Sequence, residues 1–180
     1  VDAGYKQMCR AIREDRTPNL LVLHYDFRAW QVSNLVLIPR FAFSYAAIEK
    51  RPPLRASARR AGWVGCNILL NRIPADARVA LIEDGEPADR AQVRRRYKHV
   101  KPLAAMDPHE RGWTLDALNA LRSLRKRSFT LAEAYSLEDE LGRLHPANRH
   151  IRDKIRQQLQ ILRDAGLLDF LGRGEYRLRS

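Results

Sequence analysis

Residues 148–178 read NRHIRDKIRQQLQILRDAGLLDFLGRGEYRL, and this stretch decides the fold. Ile151, Ile155, Leu159 and Leu162 recur at the spacing that puts them on one face of a helix. Asn148 stands where a side chain caps the helix start, and Gly166 where a glycine stops it. Two strand-like pieces follow, Leu167–Leu171 and Glu175–Leu178, with Gly172-Arg173-Gly174 between them as a tight hairpin turn.

Upstream the same texture continues. Thr130 with Glu133 three residues on is a capping box, in which two otherwise orphaned N–H groups are satisfied. The helix it opens carries Leu131, Ala134, Leu137 or Glu138, and Leu141, and ends near Pro146. Before it, Thr114 is read as the cap of a helix with Leu115, Leu118, Leu121 and Leu124 along one face. Three helices followed by a small hairpin is the order of a winged helix-turn-helix, assigned here to residues 109–180. Such a fold does not by itself give function, because some winged helices bind only protein.

Charge points to the partner. The 180-residue chain carries a formal net charge of +12 with a pI near 10.4, and much of the excess is arginine. An excess of this size implies a polyanion, and the planar guanidinium suits phosphates and guanine edges. On the third helix Arg149, Arg152, Arg156, Gln160 and Arg163 share one narrow stripe beside the apolar face. On a helix of average context such a stripe is a solvated face. In a helix-turn-helix the same helix enters the major groove, N-terminal turns first. Those turns hold Asn148, Arg149, His150, Arg152, Asp153 and Arg156, which include donors for guanine or adenine and an acceptor for cytosine. Arg173, at the hairpin tip, is placed for backbone or minor groove. Double-stranded DNA is the expected partner.

The first 108 residues have a different texture. Tyr5 to Glu14 has helical spacing, and Thr17-Pro18-Asn19 ends it. Leu20–Tyr25 and Asn34–Ile38 are short apolar runs that predict neighbouring antiparallel strands. Phe41–Lys50 is read as a short helix closed by Arg51-Pro52-Pro53. Leu54–Asn67 is dense in Arg, Gly and small residues. A strand is expected over Arg78–Glu83 with a turn at Asp84-Gly85, then an Arg-rich helix over Asp89–Lys98, and Pro102–Pro108 is read as a linker. Arg94-Arg95-Arg96 is chiefly a solvated helix face on this reading, with phosphate contact the alternative.

Other classes recede. No apolar run is long enough to cross a bilayer and no signal-peptide pattern opens the chain, so the expected location is cytoplasmic. No helix pairs a basic face with a broad, bulky apolar one, as a membrane-surface protein would. Cys9 and Cys66 form no CxxC pair and read as small core residues. His24, His99, His109, His145 and His150 show no metal spacing and are read as surface or loop residues.

Two long motifs carry a resemblance. Arg59-Arg60-Ala61-Gly62-Trp63-Val64-Gly65-Cys66-Asn67-Ile68 and His150–Asp164 with Gly172-Arg173-Gly174-Glu175-Tyr176 resemble the DpnI-type restriction endonucleases, the Dam-replacing proteins. Arg111-Gly112-Trp113-Thr114 matches as well, so the likeness spans essentially the whole chain. The resemblance implies an α+β protein: a partial PD-(D/E)xK nuclease-like α/β domain over residues 1–108, then the winged helix. It also implies a methyl-directed type II restriction endonuclease that cleaves GATC sites bearing N6-methyladenine, with Mg²⁺ as cofactor. Trp63 matches the family's tryptophan that lies against the adenine methyl groups, and Arg59 and Arg60 flank it as DNA contacts. Without the resemblance, Trp63 reads as a core residue of a Gly-flanked loop.

One part of the family pattern is missing from these residues. A PD-(D/E)xK site needs carboxylates on adjacent strands for Mg²⁺ and a lysine two residues after the second acid. No Asp or Glu here is followed two residues later by Lys. The expectation is a chain that resembles the C-terminal two-thirds of such an enzyme, starting past its catalytic strands, with recognition but no catalytic or metal residues of its own. The alternative is a non-catalytic winged-helix DNA-binding protein or a decayed restriction enzyme.

Overall fold

The computed structural model describes residues 4–179. After helix α1 (Tyr5–Arg13), strands β1 (Leu20–Asp26) and β2 (Gln31–Ile38) pair antiparallel, with Leu21 opposite Leu37. Strands β3 (Ile48–Lys50) and β4 (Cys66–Ile68) form a separate antiparallel pair. Strands β5 (Val79–Glu83) and β6 (Glu86–Pro87) complete the main sheet in the order β1-β2-β5-β6. Asp84 and Gly85 join β5 to β6 with φ of 51° and 85°, the double left-handed geometry of a two-residue hairpin turn. Asp89 then caps helix α2 (Arg90–Val100) by accepting from the Gln92 N–H.

The first strands and α2 form where the pattern puts them, but residues 41–50 do not make one helix. They form two 3-10 turns, Arg40–Ala42 and Tyr45–Ala47, before β3. Phe41, Ala42, Phe43 and Ser44 are buried in succession, and an α-helix cannot bury every position of a run against one neighbour. Ser44 is extended, and its hydroxyl donates to Asp116 Oδ1 at 2.6 Å. Cys9 and Cys66 pack, partly buried, against the core.

Residues 102–108 are likewise no linker. Lys101–Ala105 is a 3-10 turn that buries Leu103 completely, and Asp107 accepts from the His109 N–H to cap helix α3 (Pro108–Ser123). Thr114 therefore lies inside α3 rather than at its start. It is fully buried, and its hydroxyl donates to Glu110 O and to Gln158 Oε1. The Pro108 ring tolerates the first turn, where an N–H has no partner to lose, so the cap falls to Asp107, seven residues earlier than the leucine run indicates.

Helix α3 is the shared spine of the molecule. Trp113, Leu115, Leu118 and Leu121 are buried, and one continuous apolar cluster runs from Met8 and Ile12 to Leu168 and Leu178. Polar bonds cross the same seam. Arg111 Nη2 pairs with Asp15 Oδ1 at 2.5 Å, Arg72 Nη1 with Glu140 Oε1 at 3.0 Å, and Arg122 grips Asp76.

Beyond α3 the chain forms β7 (Ser128–Thr130), α4 (Leu131–Tyr135), α5 (Glu138–Leu144), α6 (Ile151–Asp164), β8 (Leu168–Gly172) and β9 (Glu175–Leu178). The capping box forms as read: Thr130 Oγ1 accepts from the Glu133 N–H, and Glu133 returns to the Thr130 N–H at 2.7 Å. Lys126 and that backbone bond hold the Glu133 carboxyl below the usual range. The expected single helix after it is broken at Ser136-Leu137 into α4 and α5. Ser136 Oγ donates back to Glu133 O, drawing the chain into a tight turn. The wing has three strands, in the order β7-β9-β8.

Candidate nucleic-acid interface

Helix α6 is held by the side chains the pattern named. Ile151, Ile155, Leu159 and Leu162 are buried against α3, α5 and β8, each burial contributing about 1.5–3 kcal/mol. With that face fixed, Arg152, Asp153, Arg156, Gln160 and Arg163 are exposed on the other. Gln158, which sequence reasoning passed over, is buried and accepts from Thr114, pinning the helix to α3. Its only sequence signal was its place between Ile155 and Leu159 on the inner face.

The N-terminus of α6 differs from expectation by two residues. His150 holds the cap position, and Asn148 sits further out, where its Oδ1 accepts from the His150 N–H at 2.7 Å. Asn148 thus shapes the approach to the helix, and Arg149 and His150 stand exposed beside its first turn.

The basic residues of the stripe are not equivalent. Arg152 Nε donates to Glu138 Oε2 at 2.6 Å, and its guanidinium lies 5.5 Å from the Tyr135 ring centroid. Arg163 pairs with Asp164. Among the described residues Arg149, Arg156, Gln160 and Arg173 have no side-chain partner. Arg173 (φ 50°) and Gly174 (φ 78°) form the two-residue turn between β8 and β9. That turn asks for left-handed backbone at both positions, where Asn or Gly is at ease and arginine is strained.

The second set of predicted residues stands on irregular backbone. Pairing of β3 with β4 continues outward through Arg51 N to Gly65 O at 3.0 Å and Leu54 N to Trp63 O at 2.9 Å. The Gly62 N–H closes the loop on Leu54 O, with Gly62 at φ 76°. Tyr5 N donates to Val64 O at 2.9 Å, tying the loop to the start of α1. The Trp63 indole lies over Gly65, where a Cβ would come within 2.8 Å of the ring. The Arg60 guanidinium sits 4.5 Å from the indole centroid, so Arg60 and Trp63 do come together. Arg59 is exposed on the same loop.

Two of the histidines, read from the sequence as surface or loop residues, have side chains that are largely buried and partnered. His145 stacks on Trp113 at 3.5 Å between centroids, with Nε2 3.0 Å from Asp116 Oδ2. His99 Nε2 lies 3.6 Å from Asp76 Oδ1. Burial alone would raise the Asp76 pKa, but His99 and Arg122 outweigh it and hold the carboxyl below the ordinary range. Both carboxylates brace α3.

The Dam-replacing family matches residues 1–106, and the Dam-replacing HTH domain matches residues 109–178. The chain belongs to the Dam-replacing family. The helix-turn-helix match covers α3 to β9, the region whose outer helix face and wing carry the unpaired Arg156 and Arg173. This Dam-replacing protein has no described helix long and apolar enough to cross a membrane. The described residues contain no group of three or more His, Cys, Asp or Glu that could hold a metal ion.

Proposed function

We propose that this chain is the DNA- and methyl-recognising part of a methyl-directed restriction endonuclease whose target is GATC with N6-methyladenine. The observation that supports it most is the α6 face, where Arg156 and Gln160 are exposed and unpartnered beside a wing tipped by Arg173. In the major groove, Arg156 has the fork to bond a guanine edge and Gln160 the amide to bond adenine. Arg152 reaches a base or phosphate only by leaving Glu138, so it contributes less. Arg173 keeps a strained turn conformation that Asn or Gly would relieve, which fits an arginine retained for contact.

Trp63 is the methyl reader on this proposal. An N6-methyl is a small apolar knob in the major groove, and an indole face excludes water from it with little loss of conformational freedom. Arg60 steadies the ring in the free chain and turns to a phosphate when DNA arrives. Arg59 follows the backbone. Asn148, Arg149, His150 and Asp153 border the groove at the start of α6.

Binding to matched duplexes, methylated and unmethylated at GATC, tests the reading, with Trp63→Ala beside the parent. The parent prefers methylated duplex, and Trp63→Ala binds both at the parent's weaker affinity. Equal affinity in all four combinations would remove methyl reading and leave general DNA binding. The chain incubated with methylated plasmid and Mg²⁺ is expected to bind without cutting. Efficient cutting would show that residues described here suffice for catalysis.

A further inference from the structure

Away from both predicted sets, α2 and the end of α3 wall a cleft of about 850 Å³. Arg78, Arg95, Arg96, Lys98 and Arg122 line it, against the single carboxylate of Asp76. That carboxylate is not available to neutralise its neighbours. Its side chain is 4% exposed and already engaged by Arg122, with Nε to Oδ2 at 2.9 Å, and flanked by His99. Arg122 is also committed to Arg179 O at 2.5 Å, so it is a fixed part of the wall. Arg96 lies 3.6 Å from Glu83, which is itself largely exposed. Arg78, Arg95 and Lys98 are left exposed and without a partner among the described residues. A second recess shares Arg122 and adds Arg125, Lys126 and Arg127 from the loop before β7.

Cations gathered this way repel one another unless an anion lies between them. The lining is also extended along two adjoining recesses, as a row of phosphates requires, rather than converging on a single point. Strand β9 sets its position: Arg173 stands at one end of the strand, and Arg179, bonded to Arg122, follows the other. The cleft therefore lies at the base of the wing, a strand's length from the tip. We propose that this cleft binds the sugar-phosphate backbone of duplex DNA flanking the recognition site, as a contact separate from α6 and Trp63. The proposal rests on the DNA-binding reading above. It also divides the basic run of α2: Arg95 and Arg96 line the cleft, and Arg94 does not.

The test measures the salt dependence of affinity for two duplexes, one limited to the site and one extended on both flanks. Three proteins are compared: the parent, Arg95→Ala/Lys98→Ala, and Arg90→Ala/Arg94→Ala, which removes equal charge from exposed positions of α2 outside the cleft. The cleft variant should lose up to about two from the slope of log K against log salt on the extended duplex, near 0.9 for each phosphate contact. On the short duplex it should match the parent, and the control variant should match the parent on both. Arg78→Ala, on a different element, should reproduce about half of that loss. Equal losses in cleft and control variants would overturn the proposal in favour of net charge alone. Unchanged slopes would overturn it as well. Unchanged slopes with thermal stabilisation of the parent by inorganic phosphate would instead mark a small-anion site. If the parent binds neither duplex, the DNA-binding reading itself falls, an outcome distinct from loss of the cleft alone.

Discussion

Helix α6 and the Trp63 loop are offered as two readers of one methylated site, yet they are built on opposite principles. The helix is fixed by what it buries: Ile151, Ile155, Leu159 and Leu162 lock one face, and the exposed residues follow by rotation. The loop buries little and is fixed by backbone bonds at Arg51, Leu54 and Gly62 and by indole contact with Gly65. A helix reader fails when its core fails. A loop reader fails when its backbone geometry does, with the rest of the protein still folded.

The sharpest way to break that contrast is Leu159→Ala. Removing a side chain that is 2% exposed should cost about 3 kcal/mol of stability, read by denaturant unfolding, and weaken binding to every duplex alike. A cost under about 1 kcal/mol would mean that α6 is not held by its apolar face. The joint between α3 and the first sheet comes next. Asp76→Asn removes a carboxylate buried against Arg122 and His99 and should cost about 2 kcal/mol at neutral pH. The pH dependence follows from the depressed pKa of the folded carboxyl. The unfolded chain takes up the proton first, so this contribution is complete above about pH 4 and is lost as pH falls through the folded value. The variant's stability curve should therefore be flatter than the parent's at acid pH, and parallel curves would refute the assignment.

Arg156→Ala probes the helix reader itself. It should leave stability unchanged and cost about 1–2 kcal/mol of affinity, concentrated at one base pair of the site. A loss spread evenly over all sequences would reduce Arg156 to a phosphate contact. At the loop, too, the effect on stability is expected to be small. Gly65→Ala puts a methyl where the indole lies, so Trp63 must move aside. Stability should change by less than about 1 kcal/mol, while the preference for methylated duplex falls toward that of Trp63→Ala. Preserved methyl preference would mean that the indole position over Gly65 does not matter to reading.

The same contrast explains what could be read from sequence. The inner face of α6, the capping box at Thr130 and the turn glycines at 166, 172 and 174 are local facts, because spacing, caps and left-handed turns are written within a few residues. The first α3 turn was misread for a related reason. Its leucines marked the buried face, but the face does not mark the end, and Asp107-Pro108 set the start instead. The break between α4 and α5 was hidden because the apolar spacing runs on through it.

By itself, then, the sequence determined a winged helix with a basic outer stripe and, through two long motifs, a resemblance that the Dam-replacing matches bear out. Only the tertiary structure decided which of those charges are free. Arg152 and Arg156 are one turn apart and alike in sequence, but Glu138, fourteen residues upstream of Arg152, lies within reach of it alone. Likewise Asp76, His99 and Arg122 meet only when α2 and α3 pack together, which leaves Arg78, Arg95 and Lys98 unpaired around them. Helical periodicity sets which way a side chain faces. Whether its charge is neutralised depends on partners that distant parts of the chain bring to it, and no local pattern records them.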